Sequence, residues 1–156
     1  MPEYTIYISA DHRGFEKKQE LVPILANCHP GMVHVEDLGP DHYDQDDDYN
    51  NAAIAVAKAM LQDEHSFGLL LCGSAHGVTM QANRFRGIRA ANADSVESAR
   101  HARTNDHANV LCLSADYLDI TTMDEIIKAF CHARPDQSEK YLRRVKKLDE
   151  NWGVEA

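Results

Sequence analysis

The ten residues Gly68-Leu69-Leu70-Leu71-Cys72-Gly73-Ser74-Ala75-His76-Gly77 carry an apolar run straight into a small-residue turn, with a thiol at the junction. The leucines read as a parallel strand covered on both faces. The Gly-Ser-Ala-His-Gly that follows reads as a tight loop opening onto a helix near Val78. Ligands of open α/β sheets bind at the carboxyl ends of strands, beside helix N-termini whose free N–H groups attract anions. The same field favours a thiolate placed there, so Cys72 is a candidate base or nucleophile. The plain alternative is a small core hydrophobe, which cysteine is in most interiors.

Other reactive residues fall at equivalent places. The first strand ends in Ser9-Ala10-Asp11-His12-Arg13-Gly14, and a later one runs into Ala91-Asn92-Ala93-Asp94. Singly, Asp11 could cap a helix and His12 could be a surface residue; together they fall at one edge of a sheet. The last helix holds Lys140, Arg143, Arg144, Lys146 and Lys147. Positions 140, 144 and 147 share a face by i, i+4, i+7 spacing. That face is either solvated or a phosphate clamp, which needs the same arrangement.

The elements that must position these residues alternate along the chain. Tyr4–Ser9 is β-branched and aromatic, Gly14–Ala26 has helical spacing at Phe15, Leu21, Val22 and Leu25, and Met32–Leu38 alternates as a strand does. An acidic loop, His42–Asp48, precedes an alanine-rich helix from about Tyr49 to Leu61. Asp46, Asp47 and Asp48 suit the N-cap and positive dipole end of that helix; no EF-hand glycine or closing glutamate follows to suggest calcium. After the Cys72 strand come a helix near Val78–Asn83, a strand near Ile88–Ala91, a helix Ser95–Arg103, a strand Asn109–Ser114, and helices near Thr122–His132 and Gln137–Asn151. Five strands separated by helices imply one parallel sheet with right-handed crossovers, a doubly wound α/β fold.

At 156 residues and 44% hydrophobic content, a single domain over 1–156 is the natural expectation. The net charge of −9 argues against general affinity for nucleic acid or anionic membrane, and no apolar stretch approaches bilayer length. The N-terminus enters strand-like sequence with no basic n-region, so a cytoplasmic location is expected. Cysteines 28, 72, 112 and 131 lie far apart without a C-x-x-C pair. None of the nine histidines has metal-ligand spacing on a helix, so no metal is expected.

Taken in order, Asp11-His12-x-Gly14-Phe15-x-x-Lys18, Asp48-Tyr49, Cys72-Gly73-Ser74-x-x-Gly77, Ala82-Asn83, Gly87-Ile88-Arg89-Ala90, Ser98-Ala99-x-x-x-Arg103 and Asn109-Val110-Leu111 span almost the whole chain. This series resembles the ribose-5-phosphate isomerase type B family, which also includes galactose-6-phosphate isomerase subunits. The resemblance implies a Rossmann-like sheet in a homodimer or tetramer, with active sites shared between subunits and the C-terminal helix reaching a partner. It implies an aldose–ketose isomerase of a sugar phosphate, ribose 5-phosphate and ribulose 5-phosphate or a related pair, with no metal or other cofactor. In that chemistry Cys72 as thiolate removes the proton from the second carbon of the opened aldose phosphate and returns it to the first. The N–H groups from Gly73 through Ala75 and His76 to Gly77 hold the cis-enediolate, with the Ser74 hydroxyl assisting. Asp11 moves the proton between the two oxygens, and His12 and Tyr49 line the pocket.

The chain departs from the family pattern where a His-Asn-Asp-x-Asn-Val-Leu run is usual. Here Asn105-Asp106-His107-Ala108-Asn109-Val110-Leu111 puts Asn105 at the ring-opening histidine's position, Asp106 beside it, and His107 two residues later as the catalytic candidate for that step. Asp116 stands where an arginine usually helps bind phosphate, and an acid there repels a phosphate in the usual pose. Lys140 and Arg144 keep the clamp positions, although lysine lacks the bidentate fork. Ala75 and His76 replace a glycine and an aliphatic residue; Ala75 narrows the anion hole and His76 adds a donor. These departures point to a shifted substrate preference. The alternative is a non-catalytic sugar-phosphate-binding protein of the same fold, against which Cys72, Ser74 and Asp11 argue, since a pure binder gains nothing from a thiol.

Overall fold

The computed structural model describes residues 4–28 and 33–153. They form β1 (Tyr4–Ala10), α1 (Phe15–Cys28), β2 (Val33–Asp37), α2 (Tyr49–Met60), β3 (Ser66–Cys72), α3 (His76–Ala82), β4 (Ala90–Asn92), α4 (Val96–Asp106), β5 (Val110–Ser114), α5 (Ile120–His132) and α6 (Glu139–Glu150). The five strands make one sheet in the order β2-β1-β3-β5-β4, every neighbouring pair parallel. The chain leaves β1 for β2 on one side and then returns to β3 on the other. The carboxyl ends of β1 and β3 therefore flank a topological switch point, where open α/β sheets leave a crevice.

Alternation along the strands separates two cores. Leu69 and Leu71 of β3 join Ile6, Ile8, Leu111 and Leu113 against Leu21, Met123, Ile126 and Phe130 of the helices on one face. Leu70 and Cys72 point the other way, with Val110 and Cys112, against Ala53, Val56, Ala57 and Val78. Alanines at the contact side of α2 let that helix lie close to the sheet, and they account for the alanine-rich sequence. Lys18 is fully buried, with its ammonium 2.7 and 2.6 Å from the Asp37 oxygens and 3.0 Å from the Pro40 carbonyl. It ties α1 to the end of β2.

The boundaries differ from the sequence expectations where the chain caps itself. α3 begins at His76, two residues before Val78, because left-handed Ala75 turns the chain directly into the helix. β4 is only Ala90–Asn92; Ile88 instead closes a turn onto the Phe85 carbonyl. α4 runs three residues past Arg103, so Asn105 and Asp106 belong to its last turn and His107 is its left-handed C-cap. Asp48 does occupy the N-cap of α2, but its side chain makes no capping bond. No helix among the described residues is long and apolar enough to cross a membrane.

Candidate active site

Cys72 is the last residue of β3 and 4% exposed. The backbone amides of Ser74, Ala75 and Val78 are directed at its sulfur. Ala75 makes this wrap possible by adopting φ 68°, a conformation ordinary for glycine and costing an L-residue about 1–2 kcal/mol. Its carbonyl anchors the next turn, accepting from the Thr79 hydroxyl at 2.7 Å and the Thr79 amide at 3.2 Å.

The expectation that this loop simply favours the thiolate is corrected by burial. Desolvation is the largest influence on Cys72 and raises its pKa above the ordinary thiol value, and Asp11 adds to it; the three amides oppose without winning. Asp11 is 6% exposed, and its carboxyl is also raised, again mainly by burial. One of its oxygens accepts the N–H groups of Arg13 at 3.0 Å and Gly14 at 3.1 Å. Two neighbouring acids, each holding its proton more tightly than in water, sit at the carboxyl ends of β1 and β3.

His12 follows Asp11 and is held by a residue read from sequence only as a helix cap. One oxygen of Asp47 accepts the His12 backbone N–H at 3.0 Å and lies 2.8 Å from ring Nδ1. Tyr43 meets the imidazole edge-on, with ring centroids 6.4 Å apart. On the other flank, Arg13 pairs with Asp116. Its guanidinium lies so close over Gly73 that a Cβ there would come 2.7 Å from Nε. Asp116 is thus paired with a cation supplied from the first loop, which offsets its negative charge. Tyr49, the first residue of α2, lays its ring against Gly77, where a Cβ would meet Cζ at 2.7 Å. Ser74 is partly exposed beside Cys72, its hydroxyl 3.4 Å from the His76 amide, and His76 is exposed at the start of α3.

The structure therefore gathers Asp11, His12, Tyr49, Cys72, Gly73, Ser74, Ala75, His76 and Gly77 at one edge. It does not bring Asn105, Asp106, His107, Lys140 or Arg144 there. Val110 pairs with Gly68 and Ser114 with Cys72, so residues before β5 lie at the opposite edge, more than about 13 Å away along the strands. His107 is 8% exposed, with Nε2 2.8 Å from the Asp136 carbonyl, and its own carbonyl accepts from Arg89. α6 is tied to the same edge: Leu148, Asp149 and Trp152 enclose a cleft with Gly87–Ala91, Asp106 and Ala108. Lys140 and Arg144 are exposed along it.

Arg13 and Asp47 are the site residues that sequence reasoning passed over. Arg13 stood inside the quoted Asp11–Gly14 segment, and its meaning depended on a partner 103 residues away. Among the described residues, Asp11, His12 and Asp47 form a group whose ligand atoms lie within 4.8 Å of one another, close enough for a cation. Yet an oxygen of each aspartate is already engaged by N–H donors.

The Ribose/Galactose Isomerase family pattern matches residues 6–148. A probable ribose-5-phosphate isomerase B of Mycoplasma pneumoniae is 38% identical over 130 residues, 81% of this chain and 84% of that one. A D-erythrulose-4-phosphate isomerase 2 of Mycolicibacterium smegmatis is 32% identical, covering 79% and 80%. The crystal structure of ribose-5-phosphate isomerase B from Mycoplasma genitalium with bound ribulose-5-phosphate superposes with a TM-score of 0.88 at 32% identity, covering 96% and 97% of the two chains.

Proposed function

This chain belongs to the Ribose/Galactose Isomerase family, and from that premise we propose that it interconverts an aldose phosphate and its ketose through a cis-enediolate, with Cys72 as the carbon base. The observation that carries the reading is the Cys72 sulfur at the carboxyl end of β3, wrapped by three amides and neighboured by a proton-holding Asp11.

The steps balance within the residues present. Cys72 takes the C2 proton, the C–H electrons form the C1–C2 double bond, and the carbonyl electrons move onto O1. At that moment the sulfur loses its charge, so the amides of Ser74, Ala75 and Val78 lose their anionic acceptor just as an anionic oxygen appears beside them. Donors already in place need no reorganisation, which is the source of their catalytic effect. Asp11 delivers its proton to O1 and accepts the one on O2, and Cys72 returns its proton to C1. Ser74 steadies the oxygen, while His12, Tyr49 and His76 border the crevice.

The opposite-edge group fits a site shared between two copies of the chain. Helix α6 has no buried residue, and Leu142, Leu148 and Trp152 are 43%, 56% and 45% exposed. A homodimer covering that face would carry Lys140 and Arg144, with Asn105, Asp106 and His107, to the partner's Cys72 edge. Mixing Cys72→Ala with Arg144→Ala chains, each inactive alone, is then expected to recover up to about a quarter of wild-type activity per site after verified exchange. No recovery would mean self-contained sites.

The substrate is a sugar phosphate, either ribose 5-phosphate or a close relative. A second reading, a four-carbon substrate, is favoured by Asn105 at the ring-opening position and by the similarity to the M. smegmatis erythrulose-phosphate enzyme. An aldotetrose 4-phosphate cannot close a furanose through its phosphorylated oxygen. Deuterium incorporation from solvent into four-, five- and six-carbon aldose and ketose phosphates, followed by NMR, discriminates these readings. The expected result is exchange with at least one of them, ribose 5-phosphate not standing out as the best. Exchange with none would leave a binding protein of this fold.

A further inference from the structure

We propose that His12, held by Asp47, is the acid–base group that opens the sugar ring, Asp47 acting as its positioning residue. The inference rests on the isomerase reading above and adds a step which that reading leaves unassigned within the Cys72 edge.

A five-carbon aldose 5-phosphate is mainly a cyclic hemiacetal, and its C2 proton becomes acidic only after C1 is a free aldehyde. Opening requires a proton to leave the anomeric hydroxyl and a proton to reach the ring oxygen as the bond from C1 to that oxygen breaks. Both oxygens are substituents of one carbon, so a single nitrogen serves both without moving. Cys72 is committed to carbon, and Asp11 has one oxygen occupied by the amides of Arg13 and Gly14. His107, the sequence candidate, is a buried helix cap with Nε2 already against the Asp136 carbonyl.

His12 has the geometry that the step needs. Its backbone N–H donates to the same Asp47 oxygen that lies 2.8 Å from Nδ1, so that oxygen is an acceptor. An oxygen that already accepts one N–H is matched by a second, so the contact places the ring hydrogen on Nδ1 and turns Nε2, the acceptor nitrogen of that tautomer, away from Asp47. Two bonds to one oxygen, with the Tyr43 edge against the ring, fix the imidazole's orientation as well as its tautomer. The His12 and Asp47 side chains are 27% and 19% exposed, so the imidazole is anchored yet open to a ligand. Nε2 takes the anomeric proton as the carbonyl forms and hands it to the ring oxygen; the ring bond breaks, nothing is oxidised, and the aldehyde enters the Cys72 step.

The test separates closed from open substrates. Ribulose 5-phosphate cannot close a furanose because its fifth oxygen carries the phosphate, so solvent exchange at its C1 reads the Cys72 step alone. In His12→Ala and Asp47→Leu, turnover of ribose 5-phosphate is expected to fall about 100-fold. Exchange into ribulose 5-phosphate is expected to fall at least tenfold less than that. Asp47→Asn, which keeps an acceptor oxygen, is expected to retain more turnover than Asp47→Leu, and added imidazole is expected to restore ribose 5-phosphate turnover to His12→Ala but not to Cys72→Ala. Circular dichroism and melting confirm that each variant is folded. Equal losses on the two substrates, in folded variants without imidazole rescue, overturn the assignment. Absence of exchange in the wild-type protein would instead remove the Cys72 reading, and this inference with it.

Discussion

Cys72→Ala is expected to lose isomerisation by at least about 1000-fold while keeping its fold. General-base proton transfer contributes about 100- to 10,000-fold, and in the proposed mechanism no other group serves that carbon. The truncation removes one sulfur from a loop held by other bonds, such as Thr79 onto the Ala75 carbonyl and Ser114 onto the Gly73 carbonyl at 2.6 Å, so stability changes by only about 1 kcal/mol. The pH profile carries the same mechanism. A thiol raised by burial is protonated below its shifted pKa and useful as a base only above it, so kcat/KM is expected to climb with pH beyond the range of an ordinary thiol. A profile flat from neutral to alkaline pH, or near wild-type turnover in Cys72→Ala, would remove Cys72 from the mechanism. The control is Cys112→Ala. That thiol is fully buried and pushed up to about 12, and its loss should leave kcat within about threefold.

What sequence could show and what it could not divide along physical lines. The parallel sheet was legible because buried strands write themselves as apolar runs, and the Cys72 turn because small residues after such a run mark the carboxyl edge. Asp11 and Cys72 were findable for the same reason: each ends a strand. Side-chain pairings between loops were not, because they depend on which strands become neighbours. Asp47 looked like one of three capping acids, and only the β1–α1 loop passing beside it turned it toward His12. Asp116 looked like a misplaced negative charge until Arg13 met it across the β3 turn. His107 was legible as chemistry but not in its place. Its position three residues before β5 fixes it at the wrong edge of its own sheet, and no residue count within α4 announces that. The net effect on Cys72 was illegible too, since burial and amides pull its proton in opposite directions and only packing decides which wins.

Outside the reacting groups, Gly14 is a position where an added side chain would meet backbone. A Cβ there would come 2.7 Å from the Leu71 Cβ, 2.8 Å from the Leu71 carbonyl oxygen and 2.9 Å from its carbonyl carbon, and two of those are backbone atoms of the strand one residue before Cys72. Neither neighbour has a rotamer to escape into, so either α1 lifts or the end of β3 is displaced. Gly14→Ala is expected to cost about 2–3 kcal/mol, a fall in Tm of about 6–9 °C. Its activity should fall about 100-fold as well, because the Gly14 amide is one of the two donors to Asp11, and displacement of about 1 Å in a reacting array costs that much. Gly73→Ala makes the contrast. The nearest atoms to its Cβ would all be of the Arg13 side chain, a flexible and half-exposed neighbour, so the fold should hold within about 1 kcal/mol while the Arg13–Asp116 pair gives way. A Gly14→Ala protein with wild-type melting and turnover would mean that the turn between β1 and α1 does not approach the end of β3 closely enough to position Asp11.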